Sequence, residues 1–241
     1  MAASDRLSLR AALRGAGGAR PMIPIVNGYA EELLGRAVTP TDVAAVVQAT
    51  LRLHALFGGD AALAAWSLSW DGAQALAGAV AGVHAARPAL PVGVAVAGLS
   101  TAVSLSSPTV IDQAIDALTP LGEAQPDFVI VAEEVAPDPA LAGDYDELWS
   151  VLAHFEVPSV LLPHPRLGRE IPPPGRTRLP DAVACAEPAG WMTGLTTGCT
   201  LRAGVDEPAP EWAAFSMTDW CWGPPLPLAD ARNEINRRAA A

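Results

Sequence analysis

The chain has 241 residues, 51% of them hydrophobic, and a formal net charge of −11, so a large core can form while nucleic acid and anionic membranes, which reward clustered cations, are disfavoured as partners. All 15 of its lysine-plus-arginine positions are arginine, which removes Schiff-base chemistry, pyridoxal phosphate anchoring and the phosphate-binding loop that ends in Gly-Lys. No apolar run reaches the roughly 18 to 20 residues that cross a bilayer, the start MAASDRLSLRAALRG has no signal-peptide apolar core, and Cys185, Cys199 and Cys221 do not make a disulfide framework.

These bounds predict a cytoplasmic protein that works on a small molecule, as a monomer or a homodimer. In chain order, Asp5 to Arg14 reads as a short amphipathic helix ended by Gly15 to Gly18. Pro21 to Val26 is the first strand candidate, and its two prolines, which cannot donate to a ladder, predict partial pairing. Asn27 and Gly28 stand at its exit. Thr39-Pro40-Thr41-Asp42 predicts a helix start with threonine as N-cap and proline at the first helical position. The helix runs to Phe57.

The stretch FGGDAALAAWSLSWD, Phe57 to Asp71, then opens on a Gly-Gly turn and continues as an unbroken apolar strand. A strand apolar on both faces is covered on both faces, the habit of parallel sheets. Further strands are expected at Leu90 to Ala97, Phe128 to Ala132, Val157 to Leu162 and about Ala182 to Ala184, separated by helices from Asp71, from Ser107-Pro108 and over Asp144 to Phe155. Pro227 to Arg238 is the expected closing helix. Strand and helix in steady alternation argue for parallel βα units. A compact (β/α)8 barrel is the first expectation and an open doubly wound parallel sheet the second. No GxGxxG follows a strand, and no internal repeat is evident.

Barrel enzymes place working residues at the carboxyl ends of strands. His164 follows a strand directly and is the leading candidate. Asp71 reads either as a general acid or base or as the N-cap of the next helix. Glu133 and Glu134 end a buried strand; neighbouring strand residues face opposite ways, so one of them should reach the mouth as acid, base or Mg²⁺ ligand. Asp144 with Glu147 fits a capping arrangement, with Tyr145 as a pocket candidate. Arg166 begins a proline-stiffened loop with Arg169, Arg176 and Arg178 that could close over an anion. Trp66, Ser67 and Trp70, with Trp220 and Trp222, could line an apolar or cationic pocket, although most indoles are packing groups. His54, His84 and His154 lie within helices and read as surface or packing residues.

Several segments resemble the uroporphyrinogen decarboxylase superfamily, which includes cobalamin-related methyltransferases. Arg6 to Arg20 with PMIPI resembles its opening helix and first strand, FGGDAALAAWS its second strand, and LPVGVAVAGLSTA its strand into a Gly-Ala-Pro-x-Thr turn. VPSVLLPHPRLG resembles the strand ending in His-x-Cys-Gly, and CWGPPLPL the closing Cys-Gly-x-x-Pro-x-x-Pro-Leu of the methyltransferase branch. The resemblance implies a (β/α)8 barrel. It implies zinc held by His164 and Cys221, except that Arg166 stands where the middle cysteine belongs. The arginine-rich loop of the decarboxylase is replaced by Val26-Asn27-Gly28, and its catalytic aspartate falls at about Ser67. The chain is shorter than the family norm, as if an insertion after Thr101 were missing.

The leading expectation is therefore lyase-type acid–base chemistry on a small, largely apolar substrate. His164, Asp71, Glu133 and Glu134 would carry the chemistry, and Asn27, Trp66, Ser67, Trp70, Thr101, Tyr145, Arg166, Trp220 and Trp222 would line the pocket. With Mg²⁺ on the glutamates, cyclisation of a diphosphate is conceivable. The alternatives are zinc-dependent methyl transfer through His164 and Cys221, and an inactive ligand-binding barrel.

Overall fold

A computed structural model describes residues 2–16, 20–66, 70, 73–105, 110–167, 171–201, 210–218, 223, 224 and 226–239. Its strands β1 (Met22–Ile23), β2 (Ala62–Trp66), β3 (Val92–Ala97), β4 (Phe128–Glu133), β5 (Ser159–Pro163), β6 (Ala182–Cys185), β7 (Thr196–Leu201) and β8 (Ser216–Thr218) form one sheet. Every pairing is parallel and the order is β1-β8-β7-β6-β5-β4-β3-β2. This is a nearly closed (β/α)8 barrel, not an open doubly wound sheet.

The seam lies between β1 and β2. Pro21 and Pro24 leave β1 short, and side chains do the joining there. The Asp60 carboxylate accepts from the Met22 N–H at 2.7 Å, the Asp60 N–H donates to the Met22 carbonyl at 2.9 Å, and Asn27 Nδ2 donates to the Leu63 carbonyl at 3.1 Å. Gly59 turns into β2 at φ +94°, with a Cβ there only 2.6 Å from the Pro24 ring, so the seam tolerates no side chain at that position.

Alternation along the strands separates two apolar layers. Ile23, Ile25, Leu63, Ala95, Phe128, Ile130, Val160, Leu162, Ala182, Ala184 and Met217 pack inside the barrel, joined by Leu9 and Leu13 of α1 (Ala2–Leu13), which plugs the amino-terminal end. Val94, Val96, Val129 and Val131 face outward onto α4 (Ala73–Ala86), α6 (Val110–Glu123) and α7 (Ala142–His154).

The strand entries repeat, although the sequence reading found no repeat. Asp60, Asp127 and Asp181 precede β2, β4 and β6, and each accepts from the first N–H of the preceding strand, at Met22, Val92 and Ser159, over 2.7, 2.9 and 2.9 Å. Pro-Asp-Phe-Val-Ile-Val-Ala-Glu, from Pro126, and Pro-Asp-Ala-Val-Ala-Cys-Ala-Glu, from Pro180, are the same unit read twice. Asp127 has a second task. It is wholly buried, and Arg6 and Arg10 of α1 donate to it at 2.8 and 3.3 Å with His84 at 3.3 Å. Burial pushes its carboxyl up, yet the hydrogen bonds from His84, Arg6 and the Val92 N–H outweigh this and hold it below the ordinary range.

Three expected boundaries move. Asp42, not Thr39, caps α3 (Val43–Phe57), accepting from the Ala45 N–H at 3.0 Å. Asp144 lies in the first turn of α7, whose N-cap is Leu141. Leu99–Leu105, where the resemblance implies a turn after the strand, is helix α5. The remaining helices are α2 (Ala30–Leu34) and the closing α8 (Leu228–Ala239). Among the described residues no α-helix lies between β5 and β8. No described helix is long and apolar enough to cross a membrane.

Candidate functional site

β4 and β5 bring the informative side chains to the carboxyl end of the barrel. Phe128 and Ile130 point inward and Val129 and Val131 outward, so Glu133 falls on the outward side. Its carboxylate is fully buried between the sheet and the helices. It accepts from the Thr101 N–H at 3.0 Å, from the Thr101 hydroxyl at 2.7 Å and from the Tyr145 hydroxyl. The Ser100 N–H donates to the Tyr145 oxygen at 3.0 Å, and the Asp138 N–H to the Ser100 hydroxyl at 2.8 Å. Gly98 leaves room for the carboxylate, which any Cβ there would overlap.

Glu133, Thr101 and Tyr145 therefore do not line the mouth. Burial pushes the Glu133 carboxyl up, with the bonds from Tyr145 and Thr101 opposing. Burial and the neighbouring Glu133 push the Tyr145 phenol well above 10, so it stays a neutral donor. The cluster ties β3, β4, α5 and α7 into one block. It also shapes the mouth from behind, since the Thr101 hydroxyl accepts from the Glu134 N–H at 2.7 Å.

The mouth itself holds His164, Glu134 and Arg166. On β5, Val160 and Leu162 face the barrel interior, and the same alternation carries half-buried His164 to that side. The His164 N–H donates to the Glu133 carbonyl at 2.7 Å. Its Nδ1 accepts from the Arg166 N–H at 3.1 Å, so the neutral ring carries its proton on Nε2. The Arg166 guanidinium donates through Nε and Nη2 to the Glu134 carbonyl at 3.2 and 2.9 Å. Its Nη2 lies 3.9 Å from the Glu134 carboxylate, an exposed and correspondingly weak ion pair. The mouth thus brings together an imidazole, a guanidinium and a carboxylate.

Among the described residues, the mouth holds a single candidate zinc ligand of the His-x-Cys kind: the Nδ1 of His164 accepts from the Arg166 N–H, and Arg166 is a cation where the resemblance places a thiolate. No group of three His, Cys, Asp or Glu suited to a metal occurs among the described residues. Cys185 and Cys199 are buried on the outward faces of paired strands, and burial, reinforced by Cys199, pushes the Cys185 thiol up to about 12. Cys221, Asp71, Ser67, Trp220 and Trp222 lie outside the described residues, as does the side chain of Trp66.

Two further expectations change. Trp70 is buried in the layer between sheet and helices, away from the mouth. Residues 176–178 of the arginine loop are pinned to α7, whose Asp146 carboxylate accepts from the N–H groups of Arg176, Thr177 and Arg178 at 3.0, 3.1 and 2.9 Å, and Arg169 lies outside the described residues. Asn27 is half-buried and spans the seam. The sequence reading missed Gly98, Ser100 and Asp146. The Glu133–Gly98 contact had no sequence signal, because it joins two strands in register.

No protein-family model matches the chain, and no curated protein matches it. Among solved structures the chain is similar to a methyltransferase from Methanosarcina mazei, with 12% identity over 98% of each chain and a TM-score of 0.65. That likeness shows the fold, and the two chains match almost end to end.

Proposed function

We propose that the protein is a small-molecule enzyme of the methyl-transfer kind, a compact and diverged relative of the uroporphyrinogen decarboxylase superfamily, working at the carboxyl mouth of its barrel. The observation that carries this reading is the end-to-end likeness to a methyltransferase of similar length, joined to a polar mouth in the place where such barrels do chemistry. The short sequence resemblances at PMIPI, LPVGVAVAGLSTA, VPSVLLPHPRLG and CWGPPLPL support it from a separate direction.

Methyl transfer forms a bond from the acceptor's lone pair to the methyl carbon while the donor leaves with the electron pair of the broken bond. A protic acceptor must also lose its proton. The Glu134 carboxylate is the group placed to take that proton. The His164 Nε2–H and the outer edge of Arg166 would hold a polar or anionic acceptor and fix its attack line. No step is routed through zinc. Of the residues that lyase-type chemistry would draw on, His164, Asp71 and Glu133 or Glu134, Glu133 is committed to Thr101 and Tyr145.

The test is transfer of a deuterated methyl group, followed by mass spectrometry, from methylcobalamin, methylamines or methyl thioethers to small thiols. Transfer that falls about 100-fold or more in His164→Ala is expected. No transfer from any donor, or transfer indifferent to His164→Ala, contradicts the reading.

A further inference from the structure

The opposite end of the barrel holds a cavity of about 680 Å³, lined by Ser8 and Leu9 of α1, by Arg20, by His54, by Gly59-Asp60 at the entry of β2, and by Arg87, Leu90 and Pro91 ahead of β3. That volume lies within the roughly 300–1,000 Å³ of small-ligand sites. Its charge is the telling feature. Acidic residues outnumber basic ones 26 to 15 in this chain, so arginines have carboxylates to spare, yet the two described arginines that line this cavity pair with no carboxylate among the described residues. The Arg87 guanidinium has no hydrogen bond or ion pair to any described residue. Among the described residues the Arg20 guanidinium donates only to main-chain carbonyls, at Pro210 and at Glu211 over 2.9 Å for the shorter bond.

Among the described lining residues the one carboxylate, Asp60, is engaged by the Met22 N–H at 2.7 Å. Burial, with Arg87 acting in the same direction, lowers the pKa of His54 against the opposing pull of the Gly59 backbone and Asp60. Leu9, Leu90, Pro21 and Pro91 supply an apolar wall beside the cations.

We infer that this amino-terminal cavity is a second binding site, for a small organic anion whose phosphate or carboxylate group is held by Arg87 and Arg20 and whose apolar part rests on the leucines and prolines. The inference is independent of the reaction at the mouth. Because α1 forms one wall, and α1 is clamped to β4 through Asp127, an occupant would brace the plug of the barrel.

Isothermal titration of the full chain with pyrophosphate and, separately, with citrate, at constant ionic strength, tests it. One-to-one saturable binding of either anion is expected, weakened about tenfold or more by Arg87→Gln and by Arg20→Gln, a loss equivalent to one guanidinium contact, and unchanged by Arg166→Gln in the mouth. Binding of pyrophosphate alone assigns a phosphate ligand, and binding of citrate alone a carboxylate. Neither anion binding saturably, or binding that Arg166→Gln abolishes while Arg87→Gln leaves it intact, overturns the proposal. Arg20 and Arg87 are exposed, so the variants fold.

Discussion

The two halves of this barrel are built differently. From β1 to β4 the strands are wrapped by helices α2 to α6 and clamped by α1, and their outward valines sink into a continuous apolar layer. From β5 to β8 the described residues hold only short 3-10 turns and extended loops. There a small cluster of Leu161, Val183, Cys185 and Met192, roofed by Ala189, Trp191 and Leu195, replaces the helix layer. The helical half carries stability in regular packing; the other half relies on single contacts. The candidate site sits on the border, on β4 and β5.

β4 concentrates the difference, because a buried carboxylate closes each of its ends, Asp127 below and Glu133 above. Asp127→Asn is the largest expected effect. It leaves two arginines facing an amide, and breaking a buried charge pair costs about 3 to 5 kcal/mol. Urea denaturation near pH 7 measures it. The folded pKa of Asp127 is held below the ordinary carboxylate value, so its contribution is complete above that ordinary value and is lost as pH falls through the folded pKa. The gap between wild type and variant therefore closes in acid. A gap that persists unchanged well below pH 3.8 would mean the charge of Asp127 is not what stabilises the clamp.

The smaller effect belongs to the other half. Trp191 Nε1 donates to the Ile171 carbonyl at 2.6 Å and ties the roof to the proline-rich loop. Trp191→Phe should cost only about 1 kcal/mol, and hydrogen exchange should rise around β6 and β7 with β2 to β4 unchanged. Faster exchange throughout the barrel would erase the distinction between the halves.

The same division governed what could be read from the sequence. α3, β3 and β4 were legible because helical periodicity and unbroken apolar runs are strong signals. β7 and β8 were not: Thr196-Thr197-Gly198-Cys199 and Ser216-Met217-Thr218 are mostly small or polar, and among the described residues no helix separates them to mark the rhythm. The strand repeat was hidden because its shared residues are a Pro-Asp or Gly-Asp entry rather than a long identity. In the site, His164 was legible as a residue directly after a strand. The choice between Glu133 and Glu134 was not, because a strand apolar on both faces gives no clue to which side its last residue takes. Only the register between β3, β4 and β5 decides it.

The central claim is that the mouth presents a hydrogen-bond donor, not a metal-binding lone pair, at His164. Long-range ¹⁵N–¹H NMR of the imidazole, with His164→Ala to assign the signal and Zn²⁺ added in a second sample, measures this directly. The account predicts the Nε2–H tautomer, the same with and without zinc. An Nδ1–H tautomer, or a ring whose signals shift on adding stoichiometric zinc, would contradict it.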